Sequence, residues 1–295
     1  MEEGNKILFD KAAVIGIKKK SQQIAETLSS SGIEVILWGP TKEQIDQAIE
    51  GIAESIDGEI QRWGMTESDK RAILARIKPT TEMSEIKKCK VIIEAMGVNL
   101  EQKQDALSQV AKTNPDLELY IIHISTLSVT EIAGSNKIRN KVIGMHFLEP
   151  VPKIPVVELV RGMHTDDDTV SLAKEFAKRL NKTSVEVFEY PGYITNRVML
   201  PMINEAIYVL MEGISSAEDI DTAIKLGFNL PVGPLALADT LGLDEVLRRM
   251  ENLFHELGDA KYRPCPLLRK MVRAGRLGRS VGEGFFRYEK KDEYY

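Results

Sequence analysis

A histidine that closes an apolar run, with an acid a short way behind it, is the most chemically loaded feature of this chain. His146 ends Lys141-Val142-Ile143-Gly144-Met145, and Glu158 follows Val156-Val157. An imidazole backed by a carboxylate is a general base whose tautomer is fixed and whose protonated form is stabilised. Upstream, the run Glu118 to Ile124 breaks into Ser125-Thr126-Leu127-Ser128. That break places hydroxyls at the carboxyl end of a parallel strand, the rim where ligands of open α/β sheets collect. A Ser125, His146 and Glu158 hydrolase set is the competing reading, but Ser125 lacks the Gly-x-Ser-x-Gly elbow that exposes such a nucleophile. His123, His164 and His255 have no metal-ligand spacing and read as structural or exposed, so no metal site is expected.

The turn after the first strand reads Gly16-Ile17-Lys18-Lys19-Lys20-Ser21. A dinucleotide fold places Gly-x-Gly-x-x-Gly here, so that the backbone can approach a pyrophosphate at a helix N-terminus. Only the first glycine is present; Lys18 and Ser21 occupy the other two positions. The second strand ends in Gly39, where a carboxylate normally accepts the ribose hydroxyls. Three lysines at a helix start oppose its dipole by roughly several tenths of a kcal/mol each, unless an anion lies among them or the helix begins later. Two readings follow: a solvated loop with Ser21 as N-cap, or a phosphate held by Lys18 to Lys20, with Thr41 and Lys42 near a 2′-phosphate as in NADP users.

These residues need a scaffold, and the hydrophobic pattern supplies one. Strand candidates are Ala12 to Gly16, Glu34 to Trp38, Lys90 to Ala95, Glu118 to Ile124, Lys141 to His146 and Thr183 to Phe188, separated by helical periods in the rhythm of βαβ units. A longer insert, about Thr41 to Lys78, carries Ile45, Ala48, Ile49, Ile52 and Ile56 at three- and four-residue steps and predicts a helical hairpin standing off the sheet. After Tyr190-Pro191-Gly192-Tyr193 only helical periods remain, so the fold class is an α/β Rossmann-type domain at 1–189 and an all-α domain at 190–295.

Composition narrows the function classes. The 295 residues carry 39 Lys and Arg against 44 Asp and Glu, a net charge of −5 spread along the chain, which argues against a nucleic-acid surface. At 43% hydrophobic and 28% charged the chain reads as globular, with no apolar run of membrane-spanning length, no signal-peptide pattern and a cytoplasmic location expected. Cys89 and Cys265 lie far apart and read as buried, inert thiols.

The motifs together resemble the 3-hydroxyacyl-CoA dehydrogenase family along nearly the whole chain. Gly144-Met145-His146-Phe147-Leu148-Glu149-Pro150-Val151-Pro152 is similar to its histidine motif, and Pro191-Gly192-Tyr193-Ile194-Thr195-Asn196-Arg197 to its domain junction. Glu218-Asp219-Ile220-Asp221, Lys225-Leu226-Gly227, Gly233-Pro234-Leu235, and Leu277-Gly278-Arg279 to Gly284-Phe285-Phe286 resemble its C-terminal domain. The resemblance implies interconversion of (S)-3-hydroxyacyl-CoA and 3-oxoacyl-CoA with NAD or NADP. His146 would be the base, Glu158 its orienting acid, and Ser125 and Asn196 hydrogen-bond partners of the substrate. Cofactor contacts would fall on Gly16, Ile17, Lys18, Gly39 and Lys103, and CoA contacts on Ser55 and Arg62 along one helix face. A homodimer through the helical domain is also implied. The departures gather on the cofactor side: beside the turn and Gly39, Val98 replaces an acid, and His123 and Glu149 each replace an Asn. They motivate an alternative, a cofactor-silent acyl-CoA-binding pseudo-enzyme or partner subunit of an active homologue; a redox-free reaction on a thioester is a third.

Overall fold

The computed structural model describes residues 9–62, 64–97, 99–124 and 127–288. Two compact units divide between Glu189 and Tyr190. The first is built on an eight-stranded sheet: β1 (Lys11–Ile15), β2 (Glu34–Trp38), β3 (Ile77–Thr80), β4 (Val91–Glu94), β5 (Leu119–His123), β6 (Val142–Phe147), β7 (Val156–Arg161) and β8 (Thr183–Phe188). Their order is β3-β2-β1-β4-β5-β6-β7-β8. β1 to β6 run parallel, and β7 turns back antiparallel to β6 with β8 parallel beside it. The central strands are short β-branched runs because both faces are covered: Ala12 to Ile15 and Val91 to Ile93 are fully buried.

Two strands escape the sequence pattern. β3 holds Pro79, which removes a ladder donor and is tolerated because β3 is an edge strand. β7 lies between Pro155 and a loop and carries the acid Glu158 inside an apolar run, so it reads as a connection rather than a strand.

Helices α1 (Lys19–Ser30), α2 (Lys42–Gln61), α3 (Glu67–Arg76), α4 (Leu100–Thr113), α5 (Val129–Ala133) and α6 (Asp167–Arg179) cover the sheet. The α2–α3 hairpin does not stand off it as the sequence suggests. The stripe Ala48, Ile52 and Ile56 belongs to the same buried core as β2 and α1, and the Ser29 hydroxyl donates to the Ile73 carbonyl at 2.7 Å. Roughly 1.5–3 kcal/mol for each buried aliphatic side chain favours docking over an extended arm.

The second unit holds α7 (Thr195–Met211), α8 (Ala217–Gly227), α9 (Pro234–Leu241), α10 (Leu243–Leu257) and α11 (Pro266–Arg273). Leu243, Val246, Met250 and Leu253 form the buried stripe of α10 at helical spacing. Two buried acids tie the unit together. Asp221 accepts the Leu235 and Ala236 N–H groups at the start of α9, both at 2.8 Å. Asp239 accepts from Phe285 N, Phe286 N and the Tyr288 hydroxyl at 2.9 to 3.0 Å.

Candidate active site

The antiparallel return of β7 builds the acid–base pair. Its register sets Glu158 directly opposite His146, and opposed residues of an antiparallel pair project from the same face at side-chain contact distance. The result is a His146 Nδ1 to Glu158 Oε2 separation of 2.6 Å, with the two residues 3% and 1% exposed. With Nδ1–H donating to the carboxylate, the neutral imidazole keeps its lone pair on Nε2, and a proton gained there is balanced by Glu158. Such a pair can accept a hydroxyl proton or return one. Ser125, read from the sequence as a hydrogen-bond partner of the substrate, lies outside the described residues, as does Val98. Asn196, in the second unit, is buried in the first turn of α7, where its Oδ1 accepts from Arg249 Nη1 at 3.3 Å.

At the ends of β4 and β5 lies a cavity of about 110 Å³ lined by Lys18, Lys20, Ala95, Gly97, Lys103, His123, Ile124 and Leu127. Beneath it Lys103 is buried and its ammonium reaches Glu94 Oε2 at 2.7 Å and the His123 carbonyl at 3.2 Å. Burial pushes Glu94 up and Lys103 down, and each is the main counterweight to the other's desolvation. Lys103 therefore lines this cavity with its ammonium engaged within the protein. His123, read from the sequence as structural or exposed and as standing on the cofactor side in place of an Asn, lines this cavity. Its Nδ1 lies 3.3 Å from the Met145 carbonyl, and burial, reinforced by the positive charge of Lys20 and Lys103 and by that of His146 when protonated, holds it far below the usual imidazole range and therefore neutral. The sequence reading missed Glu94, although a lone acid at the end of an apolar strand, with a lysine one helix turn into α4, is a readable signal.

The turn between β1 and α1 keeps part of a dinucleotide cradle. Gly16 has φ +130°, and a Cβ there would lie 2.7 Å from Ser21 Oγ and 2.9 Å from the Ala95 carbonyl, so no other residue fits. Ser21 is not the N-cap: α1 begins at Lys19 with Lys18 as N-cap. Occupying the position of the last glycine, Ser21 faces inward, and its hydroxyl is satisfied by the Ala95 carbonyl at 2.9 Å. Lys18 provides no side-chain cap and the first turn of α1 holds no acid, so the positive end of the helix faces the crevice together with lysine ammonium groups. These features fit a pyrophosphate. The adenosine end is different. A Cβ at Gly39 would fall 2.5 Å from Ile17 Cγ2 and 2.6 Å from Ile45 Cγ1, so aliphatic side chains pack against the position where a ribose-binding acid would project. Thr41, considered beside a 2′-phosphate, caps α2 by accepting from Gln44 N at 3.3 Å.

Ser55 and Arg62 lie on one helix and at its C-cap, and both are engaged locally. Arg62 pairs with Glu59 at 3.0 Å. The Ser55 hydroxyl neighbours Glu26, a carboxyl on α1 that is 1% exposed and whose oxygens make no hydrogen bond of normal geometry. Burial raises Glu26 to about 7, with Ser55 and Lys153 opposing and Glu59 adding to the shift. Nothing in the sequence marks Glu26, because an acid on an amphipathic helix ordinarily faces water. Cys89 and Cys265 are buried free thiols, and burial pushes Cys89 up to about 11, as an inert thiol requires. Among the described residues no three His, Cys, Asp or Glu side chains are grouped to hold a metal ion, and no helix is long and apolar enough to cross a membrane.

Two family models match the chain: 3-hydroxyacyl-CoA dehydrogenase, NAD binding domain, over residues 11–190, and 3-hydroxyacyl-CoA dehydrogenase, C-terminal domain, over residues 192–288. The chain is 40% identical over 280 residues to a 3-hydroxybutyryl-CoA dehydrogenase of Clostridioides difficile, covering 95% of this chain and 100% of that one. It is 39% identical over 278 residues to a probable 3-hydroxybutyryl-CoA dehydrogenase of Bacillus subtilis, covering 94% and 97%. Among solved structures it is similar to the (S)-3-hydroxybutyryl-CoA dehydrogenase of Ralstonia eutropha, with TM-score 0.86, 38% identity, and coverage of 95% of this chain and 99% of that one.

Proposed function

Because the chain belongs to the 3-hydroxyacyl-CoA dehydrogenase family, we propose that it is an oxidoreductase interconverting (S)-3-hydroxyacyl-CoA and 3-oxoacyl-CoA thioesters with a nicotinamide cofactor. The observation that carries this reading is the buried His146–Glu158 pair at 2.6 Å, set opposite one another on β6 and β7. In the oxidative direction His146 Nε2 takes the proton of the 3-hydroxyl. Glu158 holds Nδ1–H and balances the imidazolium that forms, a contribution of roughly a hundred- to ten-thousand-fold in rate. Ser125 and Asn196 are assigned as hydrogen-bond partners of the substrate oxygens. The nicotinamide, when bound, supplies the hydride acceptor. Gly16 and the start of α1 are assigned to its pyrophosphate, with Ile17, Lys18 and Gly39 beside it, and Ser55 and Arg62 are assigned to CoA.

The substrate class is a short acyl thioester, supported by relatives named for 3-hydroxybutyryl-CoA. A homodimer through the helical unit is supported by its exposed apolar side chains, Val198, Ile214, Leu226 and Phe228, all more than 60% exposed. The cofactor-silent reading loses ground because relatives matched over nearly their full length are themselves named as dehydrogenases. The test is incubation of the purified protein with (S)-3-hydroxybutyryl-CoA and NAD or NADP, with product analysis. Stoichiometric 3-oxobutyryl-CoA and reduced nucleotide are the expected result. No reduced nucleotide at millimolar concentrations of either cofactor would refute the reading.

A further inference from the structure

Lys20 and Glu149 are far apart in sequence and meet over the crevice of the first unit. Lys20 Nζ lies 2.8 Å from Glu149 Oε1 and 3.4 Å from the Phe147 carbonyl. Lys20 belongs to the first turn of α1, which leaves the end of β1, whereas Glu149 follows the end of β6. Between β1 and β6 the sheet order interposes β4 and β5. At about 4.8 Å per strand the two ends are about 14 Å apart, so the ion pair crosses the mouths of the two intervening strands. Lys20 itself lines the small cavity there, together with Ala95 and Gly97 from the end of β4 and His123 from the end of β5. Ligands of open α/β sheets bind in that crevice, at the point where the strand order reverses, which here lies between β1 and β4.

We propose that the Lys20–Glu149 ion pair is a strap across the dinucleotide crevice, which the cofactor must displace, so that Glu149 sets the nicotinamide affinity of this chain. The proposal rests on the dehydrogenase reading and adds a residue to it. The chemistry of displacement is plain. A pyrophosphate entering at the start of α1 is an anion that competes with the Glu149 carboxylate for the Lys20 ammonium, and the carboxylate repels it until the pair opens. Glu149 has somewhere to go, because its side chain is 39% exposed while that of Lys20 is 19% exposed. The lysine therefore changes partners within the crevice and the carboxylate turns to solvent. Glu149 acts here through Lys20 and is a positioning residue, separate from the proton-transfer pair.

The test is a fluorescence titration of the whole protein with NADH, comparing wild type, Glu149→Gln, which keeps the shape and removes the charge, and Glu149→Ala. Both variants are expected to bind NADH at least tenfold more tightly than wild type. A smaller gain, no gain or a loss would overturn the strap. Reduction of acetoacetyl-CoA by the same samples at saturating NADH separates the two levels of the account. Turnover with unchanged NADH affinity removes the strap alone, whereas absence of turnover in all three proteins removes the dehydrogenase reading.

Discussion

The two ends of the crevice in the first unit have been treated differently. At β6 and β7 the strand register delivers a buried imidazole and carboxylate at 2.6 Å, the arrangement a hydroxyl-oxidising enzyme needs. At β1 and β2 the turn carries lysines, β2 ends in Gly39 rather than in an acid, and Ile17 and Ile45 pack where a side chain at that position would project. The contrast teaches that the two functions of a dehydrogenase, moving a proton and holding a dinucleotide, rest on separable structural devices. A cross-strand pair is fixed by sheet register and changes only as a unit. A phosphate cradle depends on the absence of side chains, so single substitutions remodel it one contact at a time.

Breaking the first end should have the largest effect. His146→Gln removes the base, and acetoacetyl-CoA reduction is expected to slow by roughly a hundred- to ten-thousand-fold with little change in NADH binding. A loss of only a few-fold would show that another group moves the proton.

The next largest effect concerns Glu26, which is buried between α1 and α2. Its folded-state value, about 7, lies above the ordinary 4.5. Protonation therefore favours the folded state, so this contribution is fully present below pH 4.5 and is lost as pH rises through 7. The gap between the two values is worth about 3 kcal/mol. Glu26→Gln is expected to raise unfolding stability by up to about 3 kcal/mol at pH 8 and to leave it little changed at pH 4.5, as read by urea denaturation. Equal stabilities at pH 8 would place Glu26 in contact with water.

Glu158→Gln keeps the shape of the orienting group and removes its charge. A fall in kcat of about 10–100-fold is expected, with a shifted pH profile and an unchanged KM for NADH. The smallest effect sharpens the contrast most. Gly39→Asp should restore the carboxylate by name only, because its Cβ meets Ile17 and Ile45 at 2.5 and 2.6 Å. It is expected to cost about 1–3 kcal/mol in stability without tightening NADH binding, and Gly39→Asp combined with Ile17→Gly and Ile45→Ala is expected to tighten it. Tighter NADH binding by Gly39→Asp alone would show that the adenosine end is open.

Much of this was legible in the residues themselves. The parallel sheet follows from short β-branched runs separated by helical periods, and His146 with Glu158 stood out as an imidazole and an acid close together at a predicted rim. What hid was the means of their meeting: β7 reads as a proline-flanked loop, and only its antiparallel register explains the 2.6 Å contact. The substitutions at Lys18 to Ser21, Gly39 and Glu149 were visible one by one. That Ser21 turns inward to the Ala95 carbonyl, that Ile17 packs against Gly39, and that Lys20 pairs with Glu149 are long-range facts no local pattern carries. Glu26 hid because burial of a polar side chain depends on neighbours from other elements.

The split between an intact proton-transfer pair and a remodelled cradle is tested most directly by steady-state kinetics of acetoacetyl-CoA reduction with NADH varied into the millimolar range. The expected result is a kcat within the common enzymatic range of about 1–1,000 s⁻¹, reached only at millimolar NADH. Saturation at micromolar NADH, or no turnover at any concentration, would contradict it.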